Sequence, residues 1–323
     1  MRFADIVGHG AVKEILRRAA DRDRVPHAYL FHGPEGVGKR SLALALYSYL
    51  VCHEPVDGDA CGACTPCRQV DEGTFVDIHR PPPDKGVLKI GTMRDVMSRL
   101  FFEPMVGPWK FLLVDDAHTL THEAANAALK TLEEPPPRSL FVLVTSTPDI
   151  LPRTVLSRCF QVPFGPLATE DVVGLLVGRH NMDEALARDA AVLSRGSVQR
   201  ALQLAEGEAL GERVDFIQGF LSLAGCGPDE KLAFSEGVAS SREESAVYMD
   251  LIESVLSDLL LAWAGLPDDT FTNADMAVPL RTFASRVGME RLQEMVRAYH
   301  EWDATRRYRP YTRSAVDRIV LAL

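Results

Sequence analysis

The segment AYLFHGPEGVGK, residues 28–39, decides how the first half of the chain folds. Its apolar start, residues 28–32, predicts a buried strand, and residues 39–51 read as the helix that follows the glycine-rich turn. A glycine-rich turn between a strand and a helix is the setting of a phosphate-binding loop, because its backbone amides and the helix N-terminus attract phosphate oxygens. We therefore predict that nucleotide phosphates bind at Gly33, Gly36, Gly38 and Lys39.

Three further apolar segments predict strands of the same sheet: residues 110–114, 140–144 and 159–162. A helix is predicted over residues 123–132, with Thr121 as its N-cap. Unbroken apolar strands that alternate with helices indicate an α/β domain whose parallel sheet is covered on both faces. The sequence therefore predicts a P-loop domain over residues 1–165.

The pattern becomes purely helical after this domain. We predict a small helical domain over residues 166–208 and an all-α bundle over residues 209–323. Trp263 and Trp302 are expected to pack in the core of that bundle, as large aromatic side chains commonly do.

The phosphate-binding loop departs from its usual form directly after the lysine. A Ser or Thr is expected there to hold magnesium through its hydroxyl group, but the chain has Arg40, and Ser41 comes one residue later. One residue is a rotation of about 100° on a helix, so Ser41 does not simply replace the missing ligand. Phosphate binding is compatible with this sequence, whereas magnesium-dependent hydrolysis is in doubt.

Two acidic residues, Asp115 and Asp116, end the strand at residues 110–114. In P-loop ATPases the first acid at such a place orients magnesium, and the second, usually Glu, polarises the attacking water. Asp116 is one methylene shorter than Glu, and a misplacement of about 1 Å costs roughly two orders of magnitude in rate. The alternative is a merely solvated strand end.

Four of the six cysteines are clustered, with the spacing C-x8-C-x2-C-x2-C. Four thiolates suit a closed, tetrahedral, structural zinc site. An iron–sulfur cluster and a redox-active C-x2-C pair are the alternatives. We predict an insertion over residues 52–67 that binds zinc through Cys52, Cys61, Cys64 and Cys67.

Charge and hydropathy restrict the function classes. The net charge is −10 and the sequence pI is about 5.4, which argues against a protein that coats nucleic acid by bulk charge and leaves a local basic surface within an assembly open. The N-terminal residues lack the apolar core of a signal peptide, and no apolar run is long enough to span a bilayer. We expect a soluble, cytoplasmic protein without membrane contact.

These motifs resemble the clamp-loader branch of the AAA+ ATPases. The resemblance is carried by the loop, the cysteine spacing and the run ANAALKTLEEPP at residues 125–136. Residues 3–9, which include Val7, resemble the family's opening segment near the adenine. Thr145 begins a stretch similar to the first sensor, and Ser157-Arg158-Cys159 is similar to the family's arginine-finger trio.

The resemblance implies a P-loop domain, a helical lid and a helical collar that builds a ring. It also implies that Arg158 acts in the ATP site of a neighbouring subunit. The implied partners are the motor (gamma/tau) and delta subunits, a sliding clamp and primed DNA; the implied ligands are structural Zn²⁺ and, at the loop, ATP or ADP.

Three departures from the motor pattern lie at one expected site: Arg40, Asp116 and Gln199, the last where a second-sensor arginine is usual. Together they favour a stationary ring subunit without ATPase activity of its own. The alternatives are an active motor subunit of the same machine, a stand-alone nucleotide kinase and a zinc-dependent DNA-binding protein. A kinase needs intact magnesium ligands, and the cysteine spacing is not that of a zinc finger.

Overall fold

The computed structural model describes residues 1–84, 86–206, 213–238, 242–305 and 312–323. The chain forms two compact units. The first comprises Met1–Arg179 together with Arg195–Gln199, and the second comprises His180–Ser194 together with Arg200–Leu323.

A five-stranded parallel sheet organises the first unit, in the order β2-β3-β4-β1-β5. The strands predicted at residues 28–32 and 110–114 are confirmed residue for residue. The strand predicted at residues 140–144 is one residue longer at each end, and the strand predicted at residues 159–162 begins and ends one residue later. The strands are β1 (Ala28–His32), β2 (Ile78–His79), β3 (Lys110–Val114), β4 (Ser139–Thr145) and β5 (Phe160–Pro163).

Helices cover both faces of this sheet. Strand side chains alternate between two buried clusters, so that Tyr29 and Phe31 lie on one face and Leu30 on the other. The predicted parallel α/β sheet is thereby confirmed. The helices are α1 (Gly10–Asp21), α2 (Lys39–Val51), α3 (Thr65–Glu72), α4 (Ile90–Arg99), α5 (His122–Glu133), α6 (Arg153–Leu156) and α7 (Thr169–His180).

The N-terminus of α5 has the predicted cap, because Thr121 Oγ1 accepts a hydrogen bond from Ala124 N at 3.2 Å. Sequence reasoning missed the edge strand β2, which has only two residues and no apolar run.

The second unit is helical in its described residues. Its core packs side chains such as Phe220, Ile252, Leu280 and Ile319. Trp302 is buried as expected. The expectation for Trp263 was wrong, because this residue is the last of its helix and is 52% exposed. The remaining helices are α8 (Glu184–Ser194), α9 (Val198–Glu206), α10 (Arg213–Ser222), α11 (Pro228–Val238), α12 (Arg242–Trp263), α13 (Ala277–Val287), α14 (Met289–Thr305) and α15 (Thr312–Leu321).

The division into three domains stays a prediction. Its boundary between residues 208 and 209 lies outside the described residues. Among the described helices, none is both long and apolar enough to cross a membrane.

We predict that Asp258→Ala destabilises the second unit. The buried Asp258 carboxylate accepts hydrogen bonds from Thr272 N at 2.8 Å, Asn273 N at 2.8 Å and Asn273 Nδ2 at 2.7 Å. Its removal leaves three donors without this acceptor, which should cost about 2–4 kcal/mol. Urea unfolding followed by circular dichroism measures the effect; the exposed Asp269→Ala should change stability by less than about 0.5 kcal/mol. Equal effects of the two substitutions would contradict the prediction.

A candidate nucleotide site and a four-cysteine module

The predicted nucleotide-binding residues meet at one edge of the sheet. Because β3, β4 and β1 are parallel neighbours, their carboxyl ends lie side by side. The phosphate-binding loop follows β1, Asp115 follows β3, and Thr145 ends β4. Gly33 N donates a hydrogen bond to Thr145 O at 3.3 Å, which joins the loop to β4 directly.

The loop is curled and closely covered. Gly33, Gly36 and Gly38 all have positive φ, at 138°, 68° and 97°. A Cβ atom at Gly36 would lie 2.4 Å from Ser197 Oγ and 2.6 Å from Gln199 Cβ. Val198 N also donates to Gly36 O at 3.0 Å. The segment that resembles the second sensor therefore lies on the loop, and Gln199 lies where a sensor arginine was expected.

Lys39 is buried under the loop that it terminates. Its Nζ donates a hydrogen bond to Gly33 O at 2.7 Å and another to Pro34 O. Burial lowers the pKa of Lys39, and the nearby Glu35 and Asp116 carboxylates oppose that shift. The ammonium group thus bonds to carbonyls of its own loop, at the place from which it would reach a phosphate.

Arg40 pairs with the acid at the end of β3. Its Nε lies 3.3 Å from Asp115 Oδ2. Burial raises the pKa of the Asp115 carboxyl, and the charges of Arg40 and Arg80 counteract this shift. Sequence reasoning missed Arg80, because it follows the unpredicted strand β2 and lies 35 residues from Asp115 in the chain.

The residues at this edge do not fit a magnesium ion. The hydroxyl that should follow Lys39 is replaced by a guanidinium, and that guanidinium neutralises Asp115. Ser41 lines a cleft together with Arg40, Arg80 and Leu44, whereas the loop glycines do not line it. Asp116 is exposed and has a φ of 47°. Weak magnesium binding stays a prediction, and the ion pair between Arg40 and Asp115 supports it.

The opening segment lies beside the loop. His9 Nε2 is 2.8 Å from Val37 O, within hydrogen-bonding distance. A Cβ atom at Gly38 would be 3.9 Å from Ile6 Cγ2. Val7 lies between these two contacts and is partly buried, a position consistent with its predicted role.

Arg158 lies two residues after the end of α6, and neighbouring acceptors hold its guanidinium. Nη1 donates to Thr154 O at 2.8 Å, and Nη2 donates to Glu133 Oε1 at 2.5 Å. Glu133 belongs to the ANAALKTLEEPP run, although no local pattern in the sequence indicates that it pairs with Arg158. These contacts orient the guanidinium and leave further N–H groups on it as potential donors.

The four clustered cysteines converge. The Sγ atoms of Cys52, Cys61, Cys64 and Cys67 all lie within 4.8 Å of one another. Four thiolates bound tetrahedrally at about 2.3 Å from Zn²⁺ would be separated by about 3.8 Å, so this donor set fits zinc. Four protein ligands leave no open position, which restricts such an ion to a structural role.

The thiols differ in acidity. Backbone N–H groups of Ala63 and Cys64 point at Cys61 Sγ and lower its pKa to about 6. Burial raises the pKa of Cys52 to about 12 and also raises that of Cys67. Because zinc binds thiolates, binding of the ion releases protons from these buried thiols.

The cysteine module also holds the start of the chain. Asp59 accepts hydrogen bonds from Phe3 N and Ala4 N, both at 2.9 Å, through its two carboxylate oxygens. The segment beside the phosphate-binding loop is thus anchored to the turn that precedes Cys61. No local pattern in the sequence pointed to Asp59.

Known proteins are similar in sequence to this chain. The family model described as DNA polymerase III, delta subunit, matches residues 8–168. The tau subunit of DNA polymerase III from Escherichia coli strain K12 is 34% identical over 76% of this chain, which spans 35% of that protein's length. The delta' subunit from the same strain is 31% identical over 84% of this chain and 80% of its own length.

The chain therefore belongs to the DNA polymerase III clamp-loader family that includes the tau, gamma and delta' subunits. Identity to tau and to delta' is similar, so these values do not separate the two. A gamma-subunit-related structure from Thermotoga maritima aligns over 96% of this chain and 97% of its own, at 19% identity and a TM-score of 0.45.

We predict that Cys61→Ser abolishes stoichiometric zinc binding. Loss of one of four thiolates opens the site, so zinc content should fall from about one ion per chain to a small fraction of that. Thermal unfolding should also shift downward, because a structural ion stabilises the fold to which it binds. Elemental analysis and a melting curve measure both effects. The lone Cys226 is the matched control, and Cys226→Ser should retain zinc; metal loss in both variants, or in neither, would refute the assignment.

Proposed function

We propose that this chain is the delta' subunit of a DNA polymerase III clamp loader, a stationary member of the ring that loads a sliding clamp on primed DNA. The ion pair between Arg40 and Asp115 is the observation that carries the proposal. It occupies both positions from which a motor subunit would hold magnesium. Without that ion the site would lack the divalent charge that stabilises the transition state of ATP hydrolysis in a motor subunit.

Two further departures from the motor pattern support the proposal that this chain does not hydrolyse ATP. Asp116 replaces the usual Glu and is one methylene shorter than it. Gln199 lies against Gly36 and supplies no positive charge to the nucleotide. Three departures from the motor pattern at one site are compatible with a subunit that keeps the fold but does not hydrolyse ATP.

The chemical contribution of this subunit would be Arg158, placed in the ATP site of a neighbouring gamma/tau subunit. An arginine supplied across an interface stabilises the charge of the transferring phosphoryl group. The contacts to Thr154 O and Glu133 support this role, because they restrain the side chain before the neighbour arrives. A restrained guanidinium loses less conformational entropy when it meets a phosphate.

The remaining parts would serve assembly. In this proposal residues 166–208 form the lid, residues 209–323 form the collar that joins gamma/tau and delta subunits, and the zinc module braces the opening segment through Asp59. The subunit would work in the cytoplasm, where replication takes place.

A motor subunit of the gamma/tau type is the second candidate. The 34% identity to tau favours it as much as the 31% identity to delta' favours the first. The two candidates differ in a measurable property, since only a motor subunit turns over ATP with magnesium in the absence of its partners.

We predict that Arg158→Ala lowers ATP turnover of the assembled ring without weakening assembly. The ATP site that faces Arg158 should lose at least about tenfold in rate, because an arginine finger contributes several orders of magnitude. Arg158→Lys should fall as well, since lysine keeps the charge but loses the planar fork. The assay combines the purified chain with gamma/tau, delta, clamp and primed DNA, and gel filtration reports assembly.

Arg153→Ala is the matched control, because Arg153 is exposed and lies on α6, the short helix that precedes Arg158. It should leave turnover unchanged. Unchanged turnover with Arg158→Ala would refute the finger role, and robust turnover by the chain alone would favour the motor candidate.

A further inference from the structure

A serine near the end of α2 has a buried hydroxyl group without a hydrogen bond. Ser48 is fully buried, and no described residue forms a hydrogen bond of regular geometry with its Oγ. Other buried serines in helices bond to their own backbone: Ser194 Oγ donates to Ala191 O, and Ser254 Oγ donates to Leu251 O, both at 2.8 Å. A buried polar group without a partner costs free energy, so the position of the Ser48 hydroxyl requires an explanation.

The four-cysteine site lies beside this hydroxyl. Cys52 follows α2 directly, and Ser48 lies four residues before it, a spacing that places two side chains on the same side of a helix. Cys67 lies in the first turn of α3, and its Sγ is within 4.8 Å of Cys52 Sγ. Burial raises the pKa of Cys67, and the nearby Ser48 hydroxyl counteracts this shift. Helix geometry and electrostatics therefore both bring the Ser48 hydroxyl to the cysteine site.

Hydrogen-bond donors already surround two other sulfurs of the site. Cys61 N donates to Cys52 Sγ at 3.2 Å, and the backbone N–H groups of Ala63 and Cys64 donate to Cys61 Sγ at 3.4 Å and 3.3 Å. Such donors are favourable because the negative charge of four thiolates exceeds the positive charge of Zn²⁺. The C-terminus of α2 adds partial negative charge next to Cys52. A hydroxyl donor from α2 would offset part of this excess.

We propose that Ser48 is a positioning residue of the four-cysteine site, and that its hydroxyl donates a hydrogen bond to Cys67 Sγ when this thiolate holds the metal. A hydroxyl hydrogen turns about its C–O bond to suit an acceptor, and an ionised acceptor forms the stronger bond. The contact ties α2, the helix that begins at Lys39, to the ion through Ser48 as well as through Cys52. The inference goes beyond the proposed function and rests only on the assignment of zinc to the four thiols.

The first test compares the zinc affinity of Ser48→Ala with that of the wild type, in the full chain. Competition with a chromophoric chelator of known affinity measures the Kd for zinc. Loss of a hydrogen bond to a metal ligand should weaken zinc binding at least about tenfold. Alanine removes only the hydroxyl oxygen, so the packing of α2 against α3 should be retained.

The second test is the absorption spectrum of the cobalt(II)-substituted protein, which separates a hydrogen bond to sulfur from mere packing. In Ser48→Ala the sulfur-to-cobalt charge-transfer band should move to longer wavelength, because a thiolate with one hydrogen bond fewer gives up an electron more readily. Ser194→Ala is the matched control, since it removes another buried helical hydroxyl. It should change neither the zinc affinity nor the band.

The outcomes separate this inference from the assignments made above. Weaker zinc binding together with a shifted band, in Ser48→Ala alone, supports it. Either an unshifted band or an unchanged zinc affinity overturns it and leaves the zinc assignment in place. Equal weakening in Ser194→Ala does the same, because it would indicate general destabilisation. A wild-type chain that binds no zinc overturns both the zinc assignment and this inference, whereas the role of Arg158 is tested separately by ATP turnover.

Discussion

Parallel pairing of β1 with β4, and of β4 with β3, is the constraint on which the candidate site depends. Parallel neighbours end at the same edge of a sheet. A loop from β1, an acid from β3 and a threonine from β4 therefore meet, although more than 100 residues separate the first from the last. Helices on both faces bury the strands, so the edge cannot shift in register without exposing the core.

Within that framework, one ion pair marks the place where this chain departs from the usual P-loop pattern. At most other helix positions, an arginine such as Arg40 would be an ordinary residue. Beside Asp115 it neutralises the carboxylate that a metal would need, and it does so from the position that a metal-binding hydroxyl would occupy. The curled glycine-rich loop is kept, whereas a positive charge stands where the metal-binding hydroxyl is usual.

The cysteine module influences this site indirectly. Its four thiols fit a structural ion, while Asp59 in the same insertion ties down the backbone of Phe3 and Ala4. The opening segment that follows contacts the loop through His9. The cysteine module thus supports a segment that is distant from it in sequence and adjacent to the glycine-rich loop in space.

The sequence by itself determined the parallel sheet, the loop, the acidic strand end and the four cysteines, because each of these depends on residues close together in the chain. Apolar runs, glycine spacing and C-x2-C pairs are local patterns. Such patterns can be recognised in the sequence without knowledge of the tertiary structure. Only the tertiary structure decided the partners of the charged groups: Arg80 near Asp115, Glu133 on Arg158 and Asp59 on Phe3. Such contacts join residues 25 to 56 positions apart, and electrostatic pairing depends on distance in space, which no spacing along the chain records.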